Sequence, residues 1–111
     1  MERKYQLPTI NSLLHNVLRL KIMVALDSLE SASFMYLCNI TGYARGNISA
    51  QLKALQNAEY IKVKKSGSGQ NARTVCYITP EGRKALKSYE LGLRRLFAED
   101  VPAEEEQKHI G

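Results

Sequence analysis

Chemistry-bearing side chains are scarce in this chain of 111 residues, which holds two cysteines and two histidines. Cys38 and Cys76 stand far apart without metal-ligand spacing, so no metal site is expected. His109 falls in an acidic terminal stretch, and no carboxylate or cysteine is patterned beside His15. A convergent acid, base and nucleophile are therefore lacking, and no enzymatic activity is expected. His15 reads instead as a helix-end or interface side chain. No glycine-rich strand-to-helix turn occurs, since Gly67 and Gly69 flank a serine within a hairpin pattern, so no phosphate-bearing cofactor is expected. Apolar runs reach only four or five residues, too short to cross a bilayer. With no leader-like apolar start, a reducing, cytoplasmic setting without a membrane partner is the expectation.

Acid is also scarce where it matters. Residues 1–98 carry 15 Lys/Arg against six Asp/Glu, whereas 99–111 carry five acids and one lysine. The formal charge of +5 thus hides a more basic body and an acidic tail. A polyanion is the natural partner of such a body, although charge alone also suits plain solubility. Three regions are expected: a flexible arm at 1–9, one domain at 10–98, and a mobile acidic tail at 99–111.

The pattern within the domain is mainly helical. Ile10 to Asn16 reads as a short helix, and Val17 to Leu29 as a longer one with apolar groups on nearly every side. That second helix is either a core helix or a core helix that also meets a second subunit. Ser31-Ala32-Ser33 reads as a short strand or turn, with Ser33 able to cap a helix from Phe34. Thr41-Gly42 ends that helix, and another follows from about Ala44 to Asn57, with Ile48, Leu52 and Leu55 at the spacing of a buried stripe.

Two helices joined by a short glycine-containing turn make a helix-turn-helix. Opposite the buried stripe of the second helix lie Asn47, Ser49, Ala50 and Lys53, with Arg45 at the N-terminal edge. A helix that enters a major groove needs slim residues for close approach and amide or cationic groups to read base edges. These four are the candidate base-facing residues. A solvated outer face would also be polar, but an ordinary exposed helix mixes Glu with Lys, and this face lacks acid.

After Tyr60 the period changes to two, with Ile61 and Val63 alternating with Lys62 and Lys64, and Thr74, Cys76 and Ile78 alternating with Val75 and Tyr77. This is a hairpin, or wing, with a Ser66-Gly67-Ser68-Gly69 tip. It carries Lys62, Lys64, Lys65 and Arg73 and no acid. Lysines on an edge hairpin also guard against aggregation. Four cations beside a cation-bearing helix fit phosphate or minor-groove contacts better, and counterion release would make them potent. Both cysteines read as buried thiols, not exposed redox sensors.

Thr79-Pro80-Glu81 then opens a last helix over about 80–98, with a hydroxyl cap, a proline at the first position and an acid in the first turn. Along it Leu86, Tyr89, Leu93 and Leu96, with Phe97 alongside, form a short coiled-coil-like seam. The seam is long for one small domain to cover, so these five residues are the candidate dimer interface.

Leu18-Arg19-Leu20-Lys21-Ile22-Met23, Gly46-Asn47-Ile48-Ser49-Ala50-Gln51-Leu52, Arg73-Thr74 and Ile78-Thr79-Pro80-Glu81-Gly82-Arg83 resemble the short branch of MarR-like winged helix-turn-helix regulators. The likeness covers residues 13–97. It implies a mainly α fold with a small β-hairpin wing, dimerising through its N-terminal and C-terminal helices. It also implies a homodimeric, prokaryotic, nucleoid-associated transcriptional regulator that binds double-stranded DNA, acting as a repressor. Helix 44–57 would then lie in the major groove and wing 61–79 on the backbone or minor groove, with Asn47 and Ser49 on the recognition helix and Arg73 at the wing. Family members usually have glycine where this chain has Glu59, so a strained or altered helix end is predicted there. The alternative is a winged-helix module that docks a protein and does not bind DNA.

Overall fold

The computed structural model describes residues 7–104. The outer parts of the arm and tail, residues 1–6 and 105–111, lie outside the described residues. Four helices and three strands follow in the order α1 (Val17–Leu29), β1 (Ser31–Ser33), α2 (Phe34–Thr41), α3 (Arg45–Asn57), β2 (Ile61–Ser66), β3 (Arg73–Ile78) and α4 (Pro80–Ala98). The strands form one antiparallel sheet in the order β1-β3-β2, with a 3-10 turn at Gly69–Asn71 in the wing. This is the winged-helix arrangement the sequence predicts.

The core gathers one face from each element. Ile22, Met23 and Leu26 of α1, Leu37 of α2, Ile48 and Leu55 of α3, and Cys76 of β3 are fully buried. Each large aliphatic side chain in such a place contributes roughly 1.5–3 kcal/mol from burial. Side-chain caps fix the helix starts. The Asn16 side chain accepts from the Arg19 amide, the Ser33 hydroxyl from the Tyr36 amide, and the Thr79 hydroxyl from the Gly82 amide. Gly42, at φ 74°, ends α2 and opens the turn into α3.

Two segments differ from the sequence reading. Residues 10–16 form a single turn instead of a helix: the Asn11 side-chain oxygen caps the amides of Leu13 and Leu14 and the His15 amide donates to the Asn11 carbonyl, but Asn16 is extended as the N-cap of α1 and stops the turn there. Residues 7–9 form neither helix nor strand and lie along α4: a Cβ placed on Gly92 would sit 3.6 Å from the Thr9 carbonyl oxygen.

The end of α3 bears out the expectation for Glu59. Its φ is 64°, in the left-handed region. The Tyr60 amide donates to the Leu55 carbonyl (3.0 Å) and the Glu59 amide to the Gln56 carbonyl (2.9 Å). Those two bonds are the Schellman closure, which normally places glycine at this position. The motif thus forms despite its side chain, at a cost of about 1 kcal/mol or more for a residue with a Cβ. Glu59→Gly is expected to raise Tm by about 4–8 °C, the equivalent of about 1 kcal/mol in a domain of this size, in a circular-dichroism melt. An unchanged or lower Tm would refute strain at this site. Glu30, at φ 70°, makes a second such reversal between α1 and β1 that the sequence did not signal.

The same junction anchors α4. The Thr79 amide donates to the Tyr60 carbonyl (3.0 Å), and its hydroxyl donates to the Glu59 carbonyl (2.7 Å) while accepting from the Gly82 amide (2.9 Å). Gly82 is buried against the Tyr60 carbonyl. An Arg83–Asp27 ion pair (2.7 Å) ties α4 to α1, but it is largely exposed and contributes little.

Candidate nucleic-acid interface

The strand register decides how the wing presents its cations. Lys62 stands opposite Tyr77, Lys64 opposite Val75 and Ser66 opposite Arg73, whereas Val63 stands opposite Cys76 and Lys65 opposite Thr74. Partners across an antiparallel pair share a face. Lys65 and Thr74 therefore extend the row that begins with buried Ile61 and Cys76, on the side of the helices, while Lys62, Lys64 and Arg73 occupy the outer face. The four wing cations are split between two faces instead of forming one cluster. Simple alternation along β2 carried this signal, but only the observed register places Arg73 with Lys62 and Lys64.

A cleft of about 440 Å³ runs between α3 and the wing, lined by Phe34, Ser49, Leu52, Lys53, Gln56, Val63, Lys65 and Thr74. It contains two lysines, polar hydroxyl and amide groups, and no acid. The outer-face lysines have different company, since Lys62 and Lys64 line a cleft with Glu59 and Glu81. The Lys64 ammonium also rests 5.4 Å from the centre of the Tyr77 ring. At an exposed site that contact is worth about 0.5–1 kcal/mol, enough to hold the side chain but not to lock it.

On α3 the predicted base-facing residues Asn47, Ser49, Ala50 and Lys53 are all exposed, as is Arg45 in the first turn. Ala44 at the N-cap gives no side-chain cap, and the first turn holds no acid. A Cβ on Gly46 would meet nothing within 4 Å, so this glycine serves no internal contact and keeps the outer face slim. Asn47 is not isolated. Its Oδ1 accepts from Gln51 Nε2 (3.0 Å), and Gln51 Oε1 accepts from Arg19 Nη1 (2.6 Å). Arg19 belongs to α1 and was missed by sequence reasoning because helical periodicity relates residues within a helix, not across 32 positions.

The candidate interface residues of α4 divide. Tyr89 is 6% exposed in its own core, and its hydroxyl lies 2.9 Å from His15 Nδ1. The body and hydroxyl of Tyr89 are thus engaged within the protomer, which leaves little of this candidate seam residue on the surface. Leu86 and Leu93 are half-buried against the same core, and Leu96 is half-buried. Phe97 is 84% exposed, and Leu91, outside the predicted seam, is 48% exposed. His15 is the tyrosine's partner and stands exposed at the end of a turn.

Cys38 and Cys76 are free and buried. Burial pushes the Cys76 thiol up to about 11, which disfavours the thiolate that redox sensing requires. Among the described residues no group of three or more His, Cys, Asp or Glu gathers in a way that would hold a metal. No described helix is long and apolar enough to cross a membrane.

Residues 18–97 match the winged helix DNA-binding domain family. An uncharacterised protein of Methanocaldococcus jannaschii is 35% identical over 75 residues, 68% of this chain and 82% of that protein. The solved structure of a transcriptional regulator homologue from Pyrococcus horikoshii is similar at TM-score 0.72 and 26% identity, covering 77% of this chain and 84% of that one. The regulator BldR from Sulfolobus solfataricus is similar at TM-score 0.62 and 27% identity, covering 85% and 68%. MarR from E. coli, solved with operator DNA, shares the fold at TM-score 0.60 and 9% identity, covering 68% and 53%. With its helix-turn-helix and wing built as described, the chain belongs to the winged helix DNA-binding domain family and has the MarR-like form of that fold.

Proposed function

We propose that the protein is a homodimeric transcriptional regulator that binds double-stranded DNA through α3 and the wing. The observation that carries this reading is the acid-free cleft in which Ser49 and Lys53 of α3 face Lys65 and Thr74 of the wing. A helix with slim, amide-bearing and cationic residues outward suits the major groove, and Lys65 extends the positive surface toward a flanking phosphate. The division of labour follows from chemistry. Asn47, Ser49, Ala50 and Lys53 meet base edges, while Arg45, Lys65 and Arg73 hold phosphates or the minor groove. Lys62 and Lys64, beside Glu59 and Glu81, serve the backbone more weakly. The domain is residues 10–98, with α1 and α4 available to a second copy, and MarR in its operator complex offers a precedent for the fold on DNA.

Lys65→Ala is expected to weaken binding to all duplex sequences alike and to reduce the log-log salt slope by about 0.9, one phosphate's worth. Asn47→Ala is expected to alter sequence preference and leave the slope unchanged. Fluorescence anisotropy on random and selected duplexes over a salt series measures both. Identical behaviour of the two variants would refute the division of labour. Absence of any binding to random duplex at low salt would sink the DNA reading and favour a protein-docking module.

A further inference from the structure

We infer that Arg19, on α1, determines which kind of base edge Asn47 reads, by fixing the direction of the Asn47 carboxamide through Gln51. This rests on the proposed DNA binding. The logic is one of donors and acceptors. A guanidinium has only donors. Arg19 Nη1 lies 2.6 Å from the Gln51 side chain, so the oxygen of Gln51 must face it. That leaves the Gln51 amide nitrogen toward Asn47, which must then offer its oxygen at 3.0 Å. Asn47 consequently presents its NH2 group outward.

Arg19 is itself held at both ends. Its Nε donates to the Leu13 carbonyl (2.7 Å), and its backbone amide donates to the Asn16 side chain (2.9 Å). Arg19 and Gln51 are half-buried and Asn47 is exposed, so a supported chain ends at the surface of α3. An unconstrained asparagine is ambivalent because its two ends exchange by a flip, and it can pair with adenine by using both. Here one end is engaged, and the amide is a directed donor. In the major groove guanine offers two adjacent acceptors, O6 and N7, whereas cytosine offers an N4 donor. Adenine N7 and thymine O4 are single acceptors, so an outward NH2 group favours guanine, which offers two, and disfavours cytosine. Arg19 and Gln51 are positioning residues for that contact.

The test joins a DNA-free measurement to a selection. In the free protein, nuclear magnetic resonance should find the Gln51 side-chain amide exchanging with water more slowly than exposed glutamine amides, and Arg19→Met should speed that exchange severalfold. In selection from a random duplex pool, the wild-type chain should prefer guanine at one position where Asn47→Ala shows no preference. Gln51→Glu keeps its bond to Arg19 but can only accept, so Asn47 must turn its NH2 inward and present its oxygen. The preference at that position should pass from guanine to a base with an exposed donor, cytosine or adenine, by about tenfold, the scale of one directed base contact. Gln51→Leu should abolish it. If Gln51→Glu weakens all sequences equally and leaves the preference intact, the inference is overturned. Unchanged amide exchange in Arg19→Met overturns it independently of DNA. A wild-type chain that shows the slowed amide but binds no duplex at low salt overturns the DNA reading and the base-reading role together.

Discussion

Replacing Gly82 by alanine is expected to destabilise the domain by about 3 kcal/mol or more, lowering Tm by roughly 12–24 °C. Helix propensity alone predicts the opposite sign, since alanine is better than glycine within a helix by about 1 kcal/mol. Geometry overrides propensity here. The new Cβ would collide with the Tyr60 carbonyl oxygen, and would fall 3.0 Å from its carbon and 3.1 Å from Ile78 Cγ1. The first two are backbone atoms and cannot swing aside. That carbonyl accepts from the Thr79 amide, and the adjacent Glu59 carbonyl accepts from the Thr79 hydroxyl, so a shift would disturb the hinge between α3, the wing and α4. Gly92 in the same helix is the internal control. Its added Cβ would reach Ile10 Cδ1 at 3.5 Å, an ordinary contact, so Gly92→Ala should stabilise by about 0.5–1 kcal/mol. Parallel melts of the two variants should shift in opposite directions, and a Tm loss below about 4 °C for Gly82→Ala would refute the close approach.

That contrast marks the limit of what the chain reveals in one dimension. Periodicity located α1, α3, the wing strands and α4, because burial on one face is a local property of a helix or strand. Thr79-Pro80-Glu81 and Ser33 were legible because caps act within a turn, and both caps form. Glu59 was legible only through resemblance, since no propensity argument reserves that position for glycine. Glu30 had no comparable signal, and its left-handed backbone came as new information. The segment before α1 misled for a local reason, because the extended Asn16 cap of α1 stops the turn that Asn11 begins.

The candidate site was legible as a set of residues, not as an arrangement. Alternation placed Lys65 apart from Lys62 and Lys64, but pairing across the hairpin was needed to put Arg73 on the outer face. Exposure of Asn47 followed from the wheel of α3. Its tether did not, because the Arg19–Gln51 bond joins side chains from different helices. Tyr89 fits the spacing of a seam, yet a buried tyrosine hydroxyl requires a partner, and His15 supplies one within the protomer.

Replacing Phe97 by glutamate is expected to convert the proposed dimer into a monomer, with light scattering giving 12.5 kDa instead of twice that mass. Phe97 is the sharper probe of the interface because it is 84% exposed, whereas Leu93 packs partly against its own core. Substituting Leu93 would confound association with folding. A charge at an exposed position should alter the stability of the protomer by no more than about 0.5 kcal/mol. Across an apolar contact the same charge has to be desolvated or left unpaired, so the energetic damage falls on association. The consequence for DNA is larger than the loss of one side chain. In the proposed dimer two recognition helices would bind a two-half-site duplex with the second contact effectively intramolecular, and separating them should weaken binding about 10²-fold or more. Binding to a single half-site should change little, because α3 and the wing are distant in sequence from Phe97 and their cleft contains no α4 residue. An unchanged mass for Phe97→Glu would move the interface away from the C-terminal end of α4. Equal losses on one and two half-sites would show that the residue acts on the fold of the reading head instead of on its pairing.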